Sequence, residues 1–243
     1  VPHLSFHELE VFFHEFGHAM HSILGATHYQ QLSGNRTMLD FVEVPSILME
    51  YFAADPRVLQ LFARHKVTGD PIPTSLVTRL VKNQKTFQAL DMQAQIVHSI
   101  MDQNFHGMHP PGAGGTTDAL AEIQNKHSLI SYTEGTSPQL QFGHFINYPA
   151  SYYSYLFSRS IAATTWKELF EADPLDPCAG GDWYMKVLQY GGARHPASMF
   201  RDLISTTDVF KETTTEHQGG GGNVGYFPNT KYLMEEIANQ KLG

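Results

Sequence analysis

The sequence predicts a mainly α, multi-helical protein. Apolar residues recur at helical spacing along most of the 243 residues, whereas the strict alternation of apolar and polar residues that is typical of strands is scarce. Start and stop signals for helices also punctuate the chain, among them Ser5 with Glu8, Gly25, and the dipeptide Asp55-Pro56. With 42% hydrophobic residues, a chain of this length can bury a substantial core between packed helices.

The first helix is predicted to begin just after Ser5 and to end at Gly25. Ser5 followed three residues later by Glu8 is a capping-box signature, and a glycine after Leu24 is a typical left-handed stop. Most of the surface of this helix is apolar, so we expect it to be buried or to line a cleft.

Two further helices are expected before residue 70. Residues 26–39 indicate a polar connecting loop, and residues 40–54 indicate a helix in which Pro45 is tolerated only within the first turns. Asp55 then provides an N-cap, followed by a proline that is compatible with the first helical position. This third helix is expected to reach about residue 66 and to be closed by Gly69.

The middle of the chain continues the helical pattern. Periodicity predicts a long amphipathic helix over residues 74–106, followed by a glycine- and proline-rich surface loop over residues 107–116. A short helix over residues 117–127 and a strongly apolar, aromatic helix over residues 151–172 are expected next. Their regularly spaced apolar positions indicate core packing. His98, within the first of these helices, is expected to be a packed histidine.

The last forty residues differ in composition from the rest. Residues 213–222 combine three threonines with four glycines, which lose too much conformational entropy on ordering to build a packed core. We therefore expect residues 1–204 to form one helical region and residues 205–243 to form a flexible or divergent C-terminal tail.

Composition excludes several classes of partner. The formal net charge is −8 and the basic residues are scattered, which argues against nucleic acid. No run of 18 or more apolar residues indicates a membrane span. Cys178 is the only cysteine, so no intrachain disulfide can form and a reducing compartment is favoured. The opening Val1-Pro2-His3 resembles no initiator or signal sequence, so we expect a fragment whose upstream half, with any targeting segment, is missing.

A metal-binding motif lies within the first helix. Residues 14–18 read H-E-x-x-H, and residues four apart share one helical face, so His14 and His18 can bind a single metal ion. Glu15 lies about 100° around the helix and remains free to act as a base. The alternative is a pair of hydrogen-bonded core histidines.

A catalytic zinc requires a third protein ligand, and two candidates compete. Glu43 is expected on a second helix that can approach the open side of the histidine pair. His21 lies on the same helix as His14 and His18, but the three would spread over about 10 Å, which makes convergence awkward. The spacing therefore favours Glu43. Otherwise Glu43 would be a capping partner of Asp40, and His21 would either support the ligands without binding the metal or face the substrate.

These residues resemble the catalytic helices of the thimet oligopeptidase family of zinc peptidases. The resemblance is carried by His14-Glu-Phe-Gly-His-Ala-Met-His21, Asp40-Phe-Val-Glu43-Val-Pro-Ser46 and Ile47-Leu-Met-Glu50-Tyr-Phe52. It extends through about residue 204 and implies the catalytic half of a multi-helical, zincin-like peptidase. The sequence around the proposed ligands is most similar to a mitochondrial branch of the family.

The resemblance also implies the roles of individual residues. It implies one zinc ion (Zn2+) per chain, held by His14, His18 and Glu43, with Glu15 as the general base toward a zinc-activated water. This ligand set agrees with the choice made from spacing.

A later aromatic segment is implied to face the zinc. Its match is residues 142–155, in which Tyr155, together with His144 or Tyr148, would hydrogen-bond the oxyanion that develops on the peptide carbonyl. Without the metal helix, these tyrosines would be interpreted as a packed aromatic stripe.

The implied activity is that of a metalloendopeptidase acting on peptides. The mitochondrial branch implies removal of an N-terminal octapeptide from imported precursor proteins in the mitochondrial matrix. A cytosolic oligopeptidase that degrades short peptides is the alternative within the same chemistry. A non-catalytic helical binding module is the alternative from another class, and Glu15 argues against it, because a structural metal site has no use for a free carboxylate.

Overall fold

The fold is mainly α-helical, which confirms the predicted class. A computed structural model describes residues 3–108, 110–112, 115–206, 208–215 and 223–238. The helices are α1 (Phe6–Leu24), α2 (Leu39–Val42), α3 (Val44–Ala54), α4 (Pro56–Phe62), α5 (Thr74–Lys85), α6 (Gln88–His106), α7 (Gly115–His127), α8 (His144–Asn147), α9 (Tyr153–Thr165), α10 (Pro177–Lys186), α11 (Pro196–Leu203) and α12 (Lys231–Ala238). The described residues also contain two strands, β1 (Phe210–Thr215) and β2 (Asn223–Pro228), and a few short 3₁₀- and π-helical turns.

The chain divides into two compact units. Of the described residues, those up to Asn83 and those from Phe157 onward form the first unit, and those from Gln84 to Leu156 form the second. No helix within the described ranges combines the length and the apolar character that crossing a membrane requires.

Helix α1 begins and ends where its sequence predicts, but the left-handed stop expected at Gly25 is wrong, because the φ of this residue is −78°. The side chain of Ser5 accepts a hydrogen bond from the backbone N–H of Glu8, whose carboxylate accepts one from the backbone N–H of Ser5 at 2.7 Å. The helix ends at Leu24, and the N–H of Gly25 donates to the carbonyl of His21 at 2.9 Å. The expected burial is only partial, because Phe12, Phe16 and Ile23 remain exposed on this helix.

The second predicted helix is interrupted at Glu43. Residues 40–54 were expected to form one helix, but α2 ends at Val42 and α3 begins at Val44. Pro45 is the physical reason: it lacks an N–H and is tolerated only in a first turn, so a new helix starts one residue before it. Glu43 consequently lies at a junction between two helices.

Helices α1 and α3 pack with their backbones in close approach. A Cβ added at Gly17 would lie 2.6 Å from both the carbonyl oxygen of Pro45 and the Cα of Ser46. Only glycine fits at this crossing. The close approach brings the helix that carries the H-E-x-x-H motif directly against the start of α3.

The core of the first unit is built by α2, α3, α9, α10 and α11. Phe41 and Phe200 are fully buried and pack edge to face, with ring centroids 6.0 Å apart. Burying one such side chain stabilises a fold by about 1.5–3 kcal/mol. The same cluster includes Val44, Ile47, Leu48, Ile161, Trp166, Trp183, Val187 and Met199.

Several predicted boundaries were wrong. The helix expected to reach residue 66 ends at Phe62, and the helix expected over residues 74–106 is divided into α5 and α6. The helix expected over residues 151–172 is α9 followed by a π-helical turn at Trp166–Phe170. Helices α10 and α11 were not predicted.

The segment from residue 205 onward contains regular structure where it is described. Strand β1 pairs antiparallel with β2, Phe210 opposite Pro228, and α12 follows. Tyr51 of α3 donates a hydrogen bond to Glu236 of α12 at 3.0 Å. Residues 216–222, most of the predicted flexible loop, lie outside the described residues, so the division at residue 204 stays a prediction.

Candidate metal centre

Three side chains of the first unit converge on one point. The Nε2 atoms of His14 and His18 lie 3.3 Å and 3.1 Å from Oε2 of Glu43. One ligand atom from each residue lies within 4.8 Å of the other two. The two histidines are one turn apart on α1, so the convergence follows from helical spacing and from the close approach of α3.

Glu43 is oriented by Ser46. The hydroxyl of Ser46, which is fully buried in the first turn of α3, donates to Oε2 of Glu43 at 3.0 Å and lies 2.9 Å from its backbone carbonyl oxygen. The carboxylate of Glu43 is thus bonded to Ser46, whereas the sequence had allowed Glu43 to be a capping partner of Asp40. The junction of α2 and α3 therefore directs the carboxylate toward α1.

Glu50 is a further residue of the site that the sequence reasoning missed. The Nδ1–H of His14 donates to Oε1 of Glu50 at 2.7 Å. Such a hydrogen bond holds the ring and leaves Nε2 free to bind a metal. A signal existed in the sequence, because Glu50 follows Glu43 by seven residues, or about two helical turns, and so occupies the same face.

The electrostatics of the cluster are those of a site built for a cation. Burial opposes protonation of His14, but hydrogen bonds to Glu43 and Glu50 outweigh it and raise the pKa of His14 to about 9. Burial would raise the pKa of Glu43, yet hydrogen bonds from His14 and His18 hold that pKa well below its ordinary range. A metal ion would replace the proton on His14 and keep Glu43 ionised.

The donor set fits zinc. Two imidazole nitrogens and one carboxylate oxygen are the ligands of a common catalytic zinc site, which keeps a fourth position open. With metal–ligand bonds of about 2.0–2.1 Å, tetrahedral ligand atoms are roughly 3.4 Å apart. The separations of 3.1 Å and 3.3 Å between the histidine nitrogens and Glu43 are close to this value.

His21, the alternative third ligand, lies apart from this cluster. It is fully buried and packs edge to face on Phe41, with ring centroids 6.0 Å apart. Neither ring nitrogen has a hydrogen-bond partner among the described residues. Burial lowers the pKa of His21 to about 4, so its ring is neutral at neutral pH. His21 is therefore a core residue of α1 and not a member of the cluster.

Glu15 lies on α1 between the two histidines and is exposed. Its position next to His14 in the helix leaves its carboxylate free of the cluster formed by His14, His18 and Glu43. This is the arrangement that the motif predicts for a base.

The predicted aromatic residues are brought together within the second unit. The ring of His144 stacks on Tyr148 with centroids 5.3 Å apart and lies 5.7 Å from the ring of Tyr155. Tyr152 is buried, donates its hydroxyl to Gln95 at 2.8 Å, and packs against Tyr155. The structure thus gathers Tyr148, Tyr152 and Tyr155 around the ring of His144.

Asp102 holds the turn that precedes α9, and sequence reasoning did not identify it. This carboxylate of α6 is fully buried and accepts the backbone N–H groups of Ala150 and Tyr152, at 3.0 Å and 2.8 Å. His106 donates to it from the next turn, at 2.9 Å. The clamp holds Ala150 at a positive φ of 57°, which a residue with a side chain rarely adopts. A single acidic residue on an amphipathic helix gives no sequence signal of such a role.

Comparison with known proteins identifies the family. Mitochondrial intermediate peptidase of Homo sapiens is 47% identical over 196 residues, covering 81% of this chain and 27% of the relative. The Arabidopsis thaliana protein named mitochondrial intermediate peptidase is 40% identical over 234 residues, covering 96% and 32%. That of Coprinopsis cinerea is 42% identical over 210 residues, covering 85% and 26%.

The chain spans between a quarter and a third of the length of these relatives. The predicted likeness to the mitochondrial intermediate peptidases is confirmed by their identity. The model of peptidase family M3 matches residues 2–217, which include every predicted site residue. The chain therefore belongs to peptidase family M3, a metallopeptidase family.

Proposed function

We propose that the protein is a zinc metalloendopeptidase in which His14, His18 and Glu43 hold the metal. The proposal rests on the convergence of these three side chains on one point. Glu15, next to His14 on α1, is exposed and is not part of this cluster. Family M3 membership supports the proposal independently.

The chain's own residues then supply the proton transfers. A zinc ion held by His14, His18 and Glu43 would supply Lewis-acid activation of the attacking water and of the scissile carbonyl. Glu15 accepts a proton from the attacking water and passes it to the leaving amine as the C–N bond breaks. Glu50 keeps the ring of His14 oriented through its hydrogen bond to Nδ1.

We propose that the aromatic cluster of the second unit stabilises the oxyanion. Tyr155, with His144 or Tyr148, donates hydrogen bonds to the negative charge that develops on the carbonyl oxygen. Their clustering within one unit supports this role, because donors held in advance need no reorganisation during the reaction. Tyr148 is more than half exposed, as a group that meets substrate must be.

The proposed substrate is the N-terminal segment of a precursor protein. Removal of an octapeptide from imported precursors in the mitochondrial matrix is implied by the family resemblance, and the relatives' name supports a mitochondrial location. The exposed apolar side chains of α1, Phe12, Phe16 and Ile23, support a further part of the protein packing on this helix.

The proposal is tested with the Glu15→Gln variant of the purified full-length protein. We expect bound zinc to remain stoichiometric and kcat to fall by roughly 10²- to 10⁴-fold, the range for loss of a general base. Glu10→Gln, on the same helix, is the matched control and should retain both zinc and turnover. A Glu15→Gln enzyme with more than about a tenth of normal turnover would remove Glu15 from the mechanism.

Two substrates resolve the finer proposal. A precursor peptide that carries an N-terminal octapeptide should be cut once, at the C-terminal end of that octapeptide. An unrelated peptide of the same length as this substrate should be cut far more slowly. Equal cleavage of both would favour the general oligopeptidase instead.

A further inference from the structure

The second unit contains a cavity that the proposed peptidase chemistry does not use. It has a volume of about 280 Å³ and lies between α6, α7 and the segment that leads into α8. Its floor is apolar and buried, formed by Val97, Met101, Leu120 and Phe145. Exposed residues, Ala94 and Ile130, border it, so the cavity is open to solvent.

Two of the polar residues that line the cavity carry a buried atom whose hydrogen-bonding capacity is unused by the described residues. Oε1 of Gln139 and Nδ1 of His98 are buried and have no hydrogen-bond partner among the residues that the structure describes. Gln139 is only 7% exposed, and its Nε2 donates to Oγ1 of Thr117 at 2.9 Å. That bond orients the amide and leaves its carbonyl oxygen as the unpaired acceptor.

His98 supplies a flat aromatic wall to the same cavity. Its ring stacks on Phe142 with centroids 4.7 Å apart and an interplanar angle of 17°. Burial lowers the pKa of His98, so the ring is neutral at neutral pH and adds no charge to the cavity. An unpaired buried acceptor is costly, and a ligand that donates to it recovers that free energy.

We propose that this cavity is a binding site for a neutral aromatic ring that carries an N–H or O–H donor, with the size of an indole or a phenol. The ring lies against the apolar floor and Phe142, and its donor bonds Oε1 of Gln139. A dry cavity of about 150 Å³ already holds benzene, so this larger cavity accommodates a bicyclic ring. The ring could belong to a free small molecule or to a tryptophan or tyrosine side chain of a peptide.

Indole and its hydrocarbon counterpart indene are the probes that test the proposal. The readout is the NMR signal of the Met101 methyl group, which lines the cavity and which Met101→Leu identifies by its removal. We expect a saturable shift with indole. N-acetyltryptophan amide distinguishes the sources: its binding points to a peptide side chain, and binding of indole alone points to a free molecule. The absence of a saturable shift with both indole and N-acetyltryptophan amide would overturn the proposal.

Two variants locate the site. Ala94→Phe places a large ring at the exposed mouth and should weaken indole binding at least tenfold, whereas Ala89→Phe, exposed on the same helix outside the lining, should leave it unchanged. Gln139→Leu should abolish the preference for indole over indene, a change of about tenfold in the affinity ratio. Equal affinity of Ala94→Phe and the unmodified protein would place the ligand elsewhere.

Discussion

Glu50 offers the sharpest test of how the metal centre is supported. Its carboxylate accepts the Nδ1–H of His14 at 2.7 Å, and its side chain is 31% exposed. Replacement by alanine leaves all three proposed ligands in place and removes only the group that orients one of them. Replacement by glutamine keeps an acceptor oxygen and removes the charge.

The magnitude follows from the nature of this hydrogen bond. A bond to a charged group contributes about 1.5–3 kcal/mol when buried. Partial exposure of Glu50 reduces this to roughly 1–2 kcal/mol, or about 5- to 30-fold in metal affinity. We expect Glu50→Ala to bind zinc about tenfold more weakly, at the lower end of the range for groups that orient a metal ligand. Glu50→Gln keeps an acceptor oxygen and should bind zinc only about threefold more weakly.

Competition with a chromogenic chelator at pH 7.5 measures the affinity directly. Glu134→Ala, which removes an exposed carboxylate in the second unit, controls for the general effect of charge and should be unchanged. If Glu50→Ala bound zinc as tightly as the unmodified protein, the hydrogen bond to His14 would have no role in holding the ligand.

Three further outcomes test the packing around the two functional clusters. Gly17→Ala places a Cβ 2.6 Å from the backbone of α3, so α1 must shift and zinc affinity should fall at least tenfold. The control is Gly180→Ala, whose Cβ meets nothing within 4 Å and which should leave zinc affinity unchanged. Chelator competition compares the two variants. His21 has a folded-state pKa of about 4 against an ordinary 6.5, so the unfolded chain binds the proton first and stability falls as pH drops through that window. Lowering the pH from 7.5 to 5 should cost about 2 kcal/mol through this residue, and urea unfolding of His21→Leu should show that much less acid sensitivity; an unchanged slope would contradict the assignment. Asp102→Asn should accelerate hydrogen exchange at the amide of Tyr152 by about tenfold or more, because that N–H loses a charged acceptor, and unchanged exchange would show that the turn holds itself.

Local signals account for the parts of the fold that were predicted correctly. The capping box at Ser5 and the N-cap at Asp55 are decided by residues within three positions, so the sequence alone is sufficient. The start of α10 carries the same kind of signal, an aspartate before a proline, and Asp176 does accept the N–H of Cys178 at 2.9 Å. That helix could therefore have been predicted.

Other features depend on contacts that are distant in the sequence. The division of residues 74–106 into two helices falls at Thr86 and Phe87, where no proline or glycine marks a break. The hairpin of β1 and β2 joins strands across a segment rich in glycine, whose composition alone indicates flexibility. Neither feature follows from a local signal in the sequence.

The candidate site divides in the same way. Helical spacing was enough to pair His14 with His18, and the geometry of a third ligand favoured Glu43 over His21. The position of Glu43 at a helix junction, however, results from Pro45 and from the close backbone approach at Gly17, which requires the assembled fold. Asp102 is beyond sequence reasoning for the same reason, since its partners lie about fifty residues away.

The zinc content of two variants tests the central claim most directly. After exhaustive dialysis at neutral pH, Glu43→Ala should contain no zinc, because two histidines alone hold the ion too weakly, whereas His21→Ala should retain one zinc per chain. Elemental analysis of both proteins, beside the unmodified protein and with folding checked by circular dichroism, gives the answer. A folded Glu43→Ala protein that keeps its zinc, or a folded His21→Ala protein that loses it, would contradict the metal centre described here.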